Sequence, residues 1–407
     1  MFKIIFLLLL LIQFIFGLVL QILSGKQVGK PLPKSVQGIY DENEYNRWRS
    51  YNNKKDKLHI ASSAISLVVN IILYCTNIIS VIYYALPGND MVKSILFFLI
   101  IGFVDVIVSI PVEYIFNFKI EAEFGFNKVT PKTFAGDLIK NFILNSLLNI
   151  LIFSLVFGAY ALLGDYFAVI AFVGLALIMI IISSLSTVFS KIFNKFTSLP
   201  EGELRTNLSN MFAEAGFKLK DIYVMDASRR TTKANAYCGG IGKMKQIVLY
   251  DNLVNNYSDG EITAVFAHEL AHFKNKDTTK MTLFNLINFL PMMAMMTIMM
   301  VVPSIAQSFG FEDANILFAF YVSFGSLLSI VTRLIMIPFN YISRVFERRA
   351  DALAYEKGYG DELISALKKL HKDSLSDMNP HPLVVKLTYN HPPLHERIEL
   401  IEAKKKQ

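Results

Sequence analysis

His268-Glu269-Leu270-Ala271-His272 sets two imidazoles and a carboxylate within five consecutive positions. On a helix, residues i and i+4 lie one above the other, so both rings can reach one metal ion while Glu269 points at the adjacent coordination position. That arrangement suits metal-assisted hydrolysis of peptide bonds, with the glutamate as base. With seven His in 407 residues, the pattern should arise by chance in only roughly half a per cent of such chains. Val265-Phe266-Ala267 leads in with apolar residues, and Ser258-Asp259-Gly260-Glu261 has the form of a capping box, so a helix with Ser258 as its N-cap is predicted through the motif.

A second cluster lies at Glu347-Arg348-Arg349-Ala350-Asp351. A helix from Arg344 to Tyr355 puts Glu347 and Asp351 on one face. Glu347 would complete a His, His, Glu zinc set that leaves the fourth position for water, and Asp351 would accept from the free ring nitrogen of a ligating histidine. A solvated or ion-paired Glu347 beside Arg348 and Arg349 fits the same spacing. His391 opens His391-Pro392-Pro393-Leu394-His395-Glu396-Arg397, where the prolines set the backbone direction and His391 and Arg397 could face the metal together. His59 sits at a membrane boundary, and His371, His381 and His395 fall in a polar tail where exposure is the default.

These residues need a scaffold, and the composition says which kind. The hydrophobic fraction is 53%, with 33 Phe, and the mean hydropathy is +0.43, well above the range of soluble domains. Stretches long enough to cross roughly 30 Å of hydrocarbon run from Ile4 to Leu23, Ile60 to Leu86, Ser94 to Phe118, Phe142 to Leu163, Phe167 to Phe189, Leu283 to Ala306 and Ile316 to Ile342. The expectation is a helical polytopic membrane protein with seven spans. The first stretch is too long for a cleaved signal and lacks a small-residue cleavage site, so it is taken as an anchored helix. Lys and Arg gather between the first and second spans, between the third and fourth, after the fifth and in the tail, while the alternate connections have few or none. This alternation puts the N-terminus outside and the long loop and tail in the cytoplasm. Two spans separate His272 from Glu347, so all three ligands return to one side.

The net charge of +7 is read as cytoplasmic flanks obeying this rule, in preference to a site for anionic lipid. No basic stripe interleaved with aromatics suggests nucleic acid. Cys75 lies within a span and Cys238 in the long loop, so they are not expected to pair. Asp105, Glu113, Asn141, Asn145, Asn149 and Arg333 fall at membrane depth, where interhelical hydrogen bonding and a hydrated cavity both account for them.

The expected organisation is spans one to five with their loops in 1–190, the first part of a catalytic unit in 191–281, two further spans in 282–342 and the second part in 343–407. Within the unit, Glu201 to Ala215 has helical spacing, and Asp221 to Met225, Ala234 to Cys238 and Gln246 to Tyr250 read as short strands. The unit is therefore an α+β domain. Asn235-Ala236-Tyr237 is the candidate strand for pairing with an extended substrate; an ordinary internal strand fits equally.

The chain closely resembles the type I CAAX prenyl endopeptidase family, integral membrane zinc metalloproteases related to the bacterial heat-shock membrane proteases. The resemblance runs along nearly the whole chain. It is carried by His268-Glu269-x-x-His272, Glu347-x-x-Ala350-Asp351, Ile39-Tyr40-Asp41, Ile120-Glu121-x-x-Phe124-Gly125-Phe126-Asn127, Asn235-Ala236-Tyr237, Ile247-Val248-Leu249-Tyr250-Asp251 and His391-Pro392-Pro393-Leu394-x-Glu396-Arg397. It implies seven helices around a chamber, with a zincin-like site at its cytoplasmic end in an inner or endoplasmic reticulum membrane. It also implies one zinc held by His268, His272 and Glu347, a base at Glu269, substrate contacts at Asn235, and oxyanion or substrate contacts at His391 and Arg397. Ala271, Phe273 and Asp277 stand where eukaryotic members usually have Gly, Trp and His, and Asn275-Lys276-Asp277 is closer to the heat-shock branch.

The expected activity is zinc-dependent endoproteolysis of CAAX-type, prenylated C-terminal tails or of membrane-associated peptides. Two other readings are carried along. One is a quality-control protease of the heat-shock type. The other is a catalytically silent chambered receptor or transporter, against which the intact motif argues.

Overall fold

A backbone in hydrocarbon must satisfy its own hydrogen bonds, and the long apolar runs are accordingly helices. The computed structural model describes residues 1–216, 221–239, 246–323 and 328–406. Among the described residues, six helices are long and apolar enough to cross a membrane: Phe2–Gly25, Glu42–Cys75, Asp90–Glu121, Pro131–Leu163, Phe167–Ser184 and Asp277–Val301. Part of the expected seventh stretch, residues 324–327, lies outside the described residues. On either side of it are the helices Ile316–Phe320 and Leu328–Glu356.

Local chemistry moves several boundaries. The second helix begins in the preceding loop, because Asp41 and Glu44 form a reciprocal capping box at 2.8 and 3.0 Å. It stops at Cys75, short of the expected Leu86. Asn77 adopts a left-handed conformation with φ of 53° and starts a separate helix, Ile78–Ala85, a conformation Asn tolerates better than most residues. The span Asp277–Val301 is interrupted by a turn at 287–288 that divides it into Asp277–Leu286 and Phe289–Val301.

Apolar packing concentrates at the two ends of the molecule. One core joins Phe6, Tyr74, Phe97, Phe153, Phe167, Met296 and Phe318. The other joins the sheet, the motif helix and the C-terminal helices to Val36, Trp48, Tyr51, Phe124 and Phe126 of the first and third connections. Between them the helices bury little: Glu42–Cys75 buries Trp48, Tyr51 and Tyr74, all near its ends. Cavities occur in this middle zone. One of about 490 Å³ is lined by Gln13, His59, Asn70 and Arg333 among others, and a neighbouring one of about 500 Å³ reaches Glu113. Asn141, Asn145 and Asn149 are exposed on one helix face.

Among the described residues the sheet has four strands, β1 (Phe196–Ser198), β2 (Ile222–Met225), β3 (Ala236–Gly239) and β4 (Gln246–Tyr250), in the order β1-β2-β4-β3. β1, which has no strand signal of its own in the sequence, pairs antiparallel with β2; β2 and β4 run parallel; β3 pairs antiparallel with β4. Ile247, Val248 and Leu249 are fully buried. Among the described residues, β2 and β4 are the internal strands and β1 and β3 the edges.

Candidate metal centre

Ser258 caps the motif helix Asp259–Lys274: the Glu261 N–H donates to Ser258 Oγ at 3.2 Å, and the Ser258 N–H to Glu261 Oε2 at 2.9 Å. This start sets the helix phase, and with it the face on which His268 and His272 emerge. Its closest packing partner is Leu328–Glu356, whose inward face carries Glu347 and Asp351.

Three donor atoms converge. The His268 and His272 Nε2 atoms are 3.3 Å apart, and the Glu347 oxygens lie 3.3 and 3.2 Å from them. His268, His272 and Glu347 can each offer one donor atom such that all lie within 4.8 Å of one another. Each imidazole presents its other nitrogen to an aspartate. His268 Nδ1 donates to Asp351 at 2.9 Å, and His272 Nδ1 to Asp277 at 3.1 Å. Each aspartate is held in turn by an arginine. Arg397 grips Asp351 through Nε at 2.8 Å and Nη2 at 2.6 Å, and Arg349 donates to Asp277 at 2.5 Å. These relays fix both histidines in the tautomer that turns a lone pair on Nε2 toward the centre.

The donor set fits a metal cation. Two ring lone pairs and a carboxylate pressed to about 3.3 Å repel unless positive charge lies among them. Glu347 Oε2 is buried without a well-directed hydrogen bond. His391 Nδ1 is 2.8 Å from it, an electrostatic contact from an imidazole whose side chain is 55% exposed. The surroundings of these side chains favour positive charge in the same way. Burial depresses the affinity of His272 for a proton, but hydrogen bonds to Asp277 and Glu347 overcome this and raise its pKa to about 10. His268 is raised for the same reason by Asp351 and Glu347. Burial would raise Glu347, yet the close approach of the His268, His272 and His391 rings holds it far below the usual carboxylate range. Asp351 is lowered against burial by Arg397.

Glu269 is half-buried. Its charge favours the protonated forms of both His272 and Arg397. His391 is brought to Glu347 as the proline-led motif suggests. Arg397 is brought to the site too, but it is buried and its Nε and Nη2 are engaged by Asp351, with Nη2 3.9 Å from Glu347 Oε2. Ala236 and Tyr237 lie on edge strand β3, which packs on the motif helix, and Asn235 precedes it, its carbonyl accepting from the Tyr250 N–H at 3.0 Å.

Sequence reasoning passed over Asp277 and Arg349 as site residues. Lys276, left-handed at φ 56°, turns the chain so that Asp277 opens the next helix back toward His272. A carboxylate five residues beyond a ligating histidine was the available signal.

Membrane helices joined to a buried, metal-ready His, His, Glu site define an integral-membrane metallopeptidase. Residues 198–405 match the model for peptidase family M48, and residues 21–195 match that for the CAAX prenyl protease N-terminal segment of five membrane helices. The chain belongs to peptidase family M48, in its CAAX prenyl protease 1 group. It is 32% identical to a CAAX prenyl protease 1 homolog of Oryza sativa subsp. japonica, over 96% of this chain and 95% of that protein. It is 28% identical to CAAX prenyl protease 1 of Saccharomyces cerevisiae, over 91% and 88% respectively. The crystal structure of S. mikatae Ste24p superposes with a TM-score of 0.93 at 28% identity, covering 99% of both chains.

Proposed function

We propose that this metallopeptidase uses one zinc ion, held by His268, His272 and Glu347, to cleave CAAX-type C-terminal tails of prenylated, membrane-associated proteins. The reading adds a seventh span through 316–342, a chamber enclosed by the helices, and a zincin-like catalytic domain on the cytoplasmic side, in the endoplasmic reticulum or a bacterial inner membrane. The observation that carries it is the join between site and membrane. Asp277, which orients His272, is also the first residue of the segment Asp277–Val301, long and apolar enough to span the bilayer, so a tail held there is presented at the membrane.

When bound, zinc would polarise the scissile carbonyl and acidify a water. The chain's own residues do the rest. Glu269 accepts the water's proton and returns it to the leaving amine. Asn235, Ala236 and Tyr237 pair with the extended substrate along the free side of β3, the side away from β4. His391, exposed beside Glu347, donates to the developing oxyanion. Arg397 acts through Asp351, holding the carboxylate that orients His268, and contacts substrate less directly than its place in the motif suggests.

The test pairs a farnesylated CAAX peptide with an unprenylated membrane-protein fragment, against the purified parent and Glu269→Gln. The amide keeps the shape but cannot take a proton, so turnover of the farnesylated peptide should fall about 10²- to 10⁴-fold with metal content unchanged. Preferential cleavage of the unprenylated fragment would favour the quality-control reading suggested by Asn275-Lys276-Asp277. Undiminished activity in Glu269→Gln would remove the glutamate-base mechanism.

A further inference from the structure

Sharing no residue with the metal centre, the helix Pro131–Leu163, the chain leaving the helix Ser186–Phe193 and the turn after β2 border an open cavity of about 500 Å³. It is lined by Lys132, Lys140, Lys191, Lys195, Arg229 and Arg230 against the single carboxylate of Asp137. Arg230 already has its partners: it pairs with Asp137, and it donates to Asn194 Oδ1 at 2.9 Å and to the Phe193 carbonyl at 2.6 Å. Arg229 pairs with Asp226 at 2.9 Å. Among the described residues, the ammonium groups of Lys132, Lys140, Lys191 and Lys195 form no ion pair with a carboxylate, although the Lys195 backbone N–H donates to Asp226 Oδ1 at 2.7 Å. Lys191 rests on the Tyr223 ring at 4.8 Å, and Lys140 reaches the Ile192 carbonyl at 3.0 Å.

Orientation in a membrane asks only that positive charge flank the spans. It does not ask for a cavity. Lys132, Gly136 and Lys140 fall at i, i+4 and i+8 on one helix face, and nothing lies within 4 Å of a Cβ built on Gly136, which leaves room between the two ammonium groups. The cavity also continues. A groove of about 450 Å³ shares Asp137, Phe193, Asn194 and Arg230 with it and runs on to Asn141 and Phe189. It thus follows the helix toward its apolar length, and Phe189 is 37% exposed there. A cationic cup opening into a shallow groove whose apolar floor is Phe189 and Phe193 has the form of a headgroup with a chain attached.

We propose that this cavity and groove bind one anionic glycerophospholipid, its phosphate among Lys132, Lys140 and Lys195 and an acyl chain along Phe189 and Phe193. The site is independent of the zinc reading.

Full-length protein in detergent, titrated with phosphatidylglycerol, phosphatidylcholine or inorganic phosphate and followed by native mass spectrometry, tests it. Near an anionic headgroup each lysine is worth about fivefold, so Lys132→Gln/Lys140→Gln/Lys195→Gln should weaken phosphatidylglycerol roughly a hundredfold. Phosphatidylcholine binding should not change. The corresponding lysine-to-arginine triple should bind as the parent does, which separates loss of charge from loss of fold. Phe189→Ser should weaken phosphatidylglycerol but leave inorganic phosphate unaffected. Parental affinity in the Gln triple overturns the proposal, and so does equal weakening by a control triple, Lys26→Gln/Lys30→Gln/Lys34→Gln, which would mean diffuse attraction. Inorganic phosphate binding as tightly as the lipid, with Phe189→Ser silent, would mean a soluble anion and overturns it as well.

Discussion

The core at the catalytic end surrounds buried charge, whereas the core at the opposite end of the membrane helices has none among the described residues. Glu121, Glu261, His268, Glu347, Asp351 and Arg397 are all buried at the first, while the second is built from Phe, Met, Leu, Ile, Val, Ala and Tyr. Each buried charge has named partners: Glu121 takes Tyr51 and Lys233, Glu261 takes Ser365 and Lys369, Asp351 takes His268 and Arg397. An unpaired buried charge is far more costly than a lost apolar contact. The catalytic end is therefore specified by direction and pairing, and the membrane end by volume and shape. Damage at the first should appear in metal and chemistry, and damage at the second in stability.

The largest effect that could break this contrast is Glu347→Ala. It removes the only carboxylate of the three-residue donor cluster, and metal analysis should show near-complete loss together with loss of turnover. Full occupancy would dissolve the assignment. At the other core, Phe97 is fully buried and meets the Tyr321 ring edge-on at 5.5 Å. Phe97→Ala should cost about 3–5 kcal/mol of stability while the metal-to-protein ratio of the folded fraction stays at the parent's. Loss of metal at parental stability would mean the two ends are not separate in the way described.

Asp351→Asn is a smaller probe. It removes the anion that faces His268 and the nearer of the two carboxylates that face Arg397, and should weaken metal binding by about 10- to 100-fold. Arg397→Ala should move metal affinity in the same direction if the arginine acts through Asp351, and a silent Arg397→Ala would give it back to the oxyanion. The smallest effect is on pH. A raised pKa favours the protonated ring, so what His272 contributes to the metal-free fold is complete below the ordinary histidine range and lost as pH rises through about 10. Metal binding runs the other way, because the proton must leave. Apparent zinc affinity measured between about pH 6 and 8 should rise roughly tenfold per pH unit for each proton released. A flat profile would mean that His272 is already unprotonated.

Much of the site could be read without coordinates because its logic is local. The capping box at Ser258, the i, i+4 pair His268 and His272 and the helix carrying Glu347 and Asp351 follow from periodicity and side-chain chemistry over a few turns, and β4 matches the predicted Gln246–Tyr250 run. Spacing left open whether Glu347 was solvated or turned inward, and whether Asn235-Ala236-Tyr237 led into an edge or an internal strand. Those answers depend on elements distant in the chain. Glu347 is buried because Leu328–Glu356 packs on the motif helix, and β3 is an edge because β4 pairs with β2 on its other side. The Asp277 and Arg349 relay needed the left-handed turn at Lys276, and the break at Asn77 a left-handed residue inside a continuous apolar run. Composition and spacing determined that this chain lies in a membrane and carries the groups of a metallopeptidase, because transfer to hydrocarbon and helix periodicity act residue by residue. Which nitrogen faces the metal, which arginine holds which aspartate and which strand stands open were decided only by packing, because direction in space is a property of several elements at once.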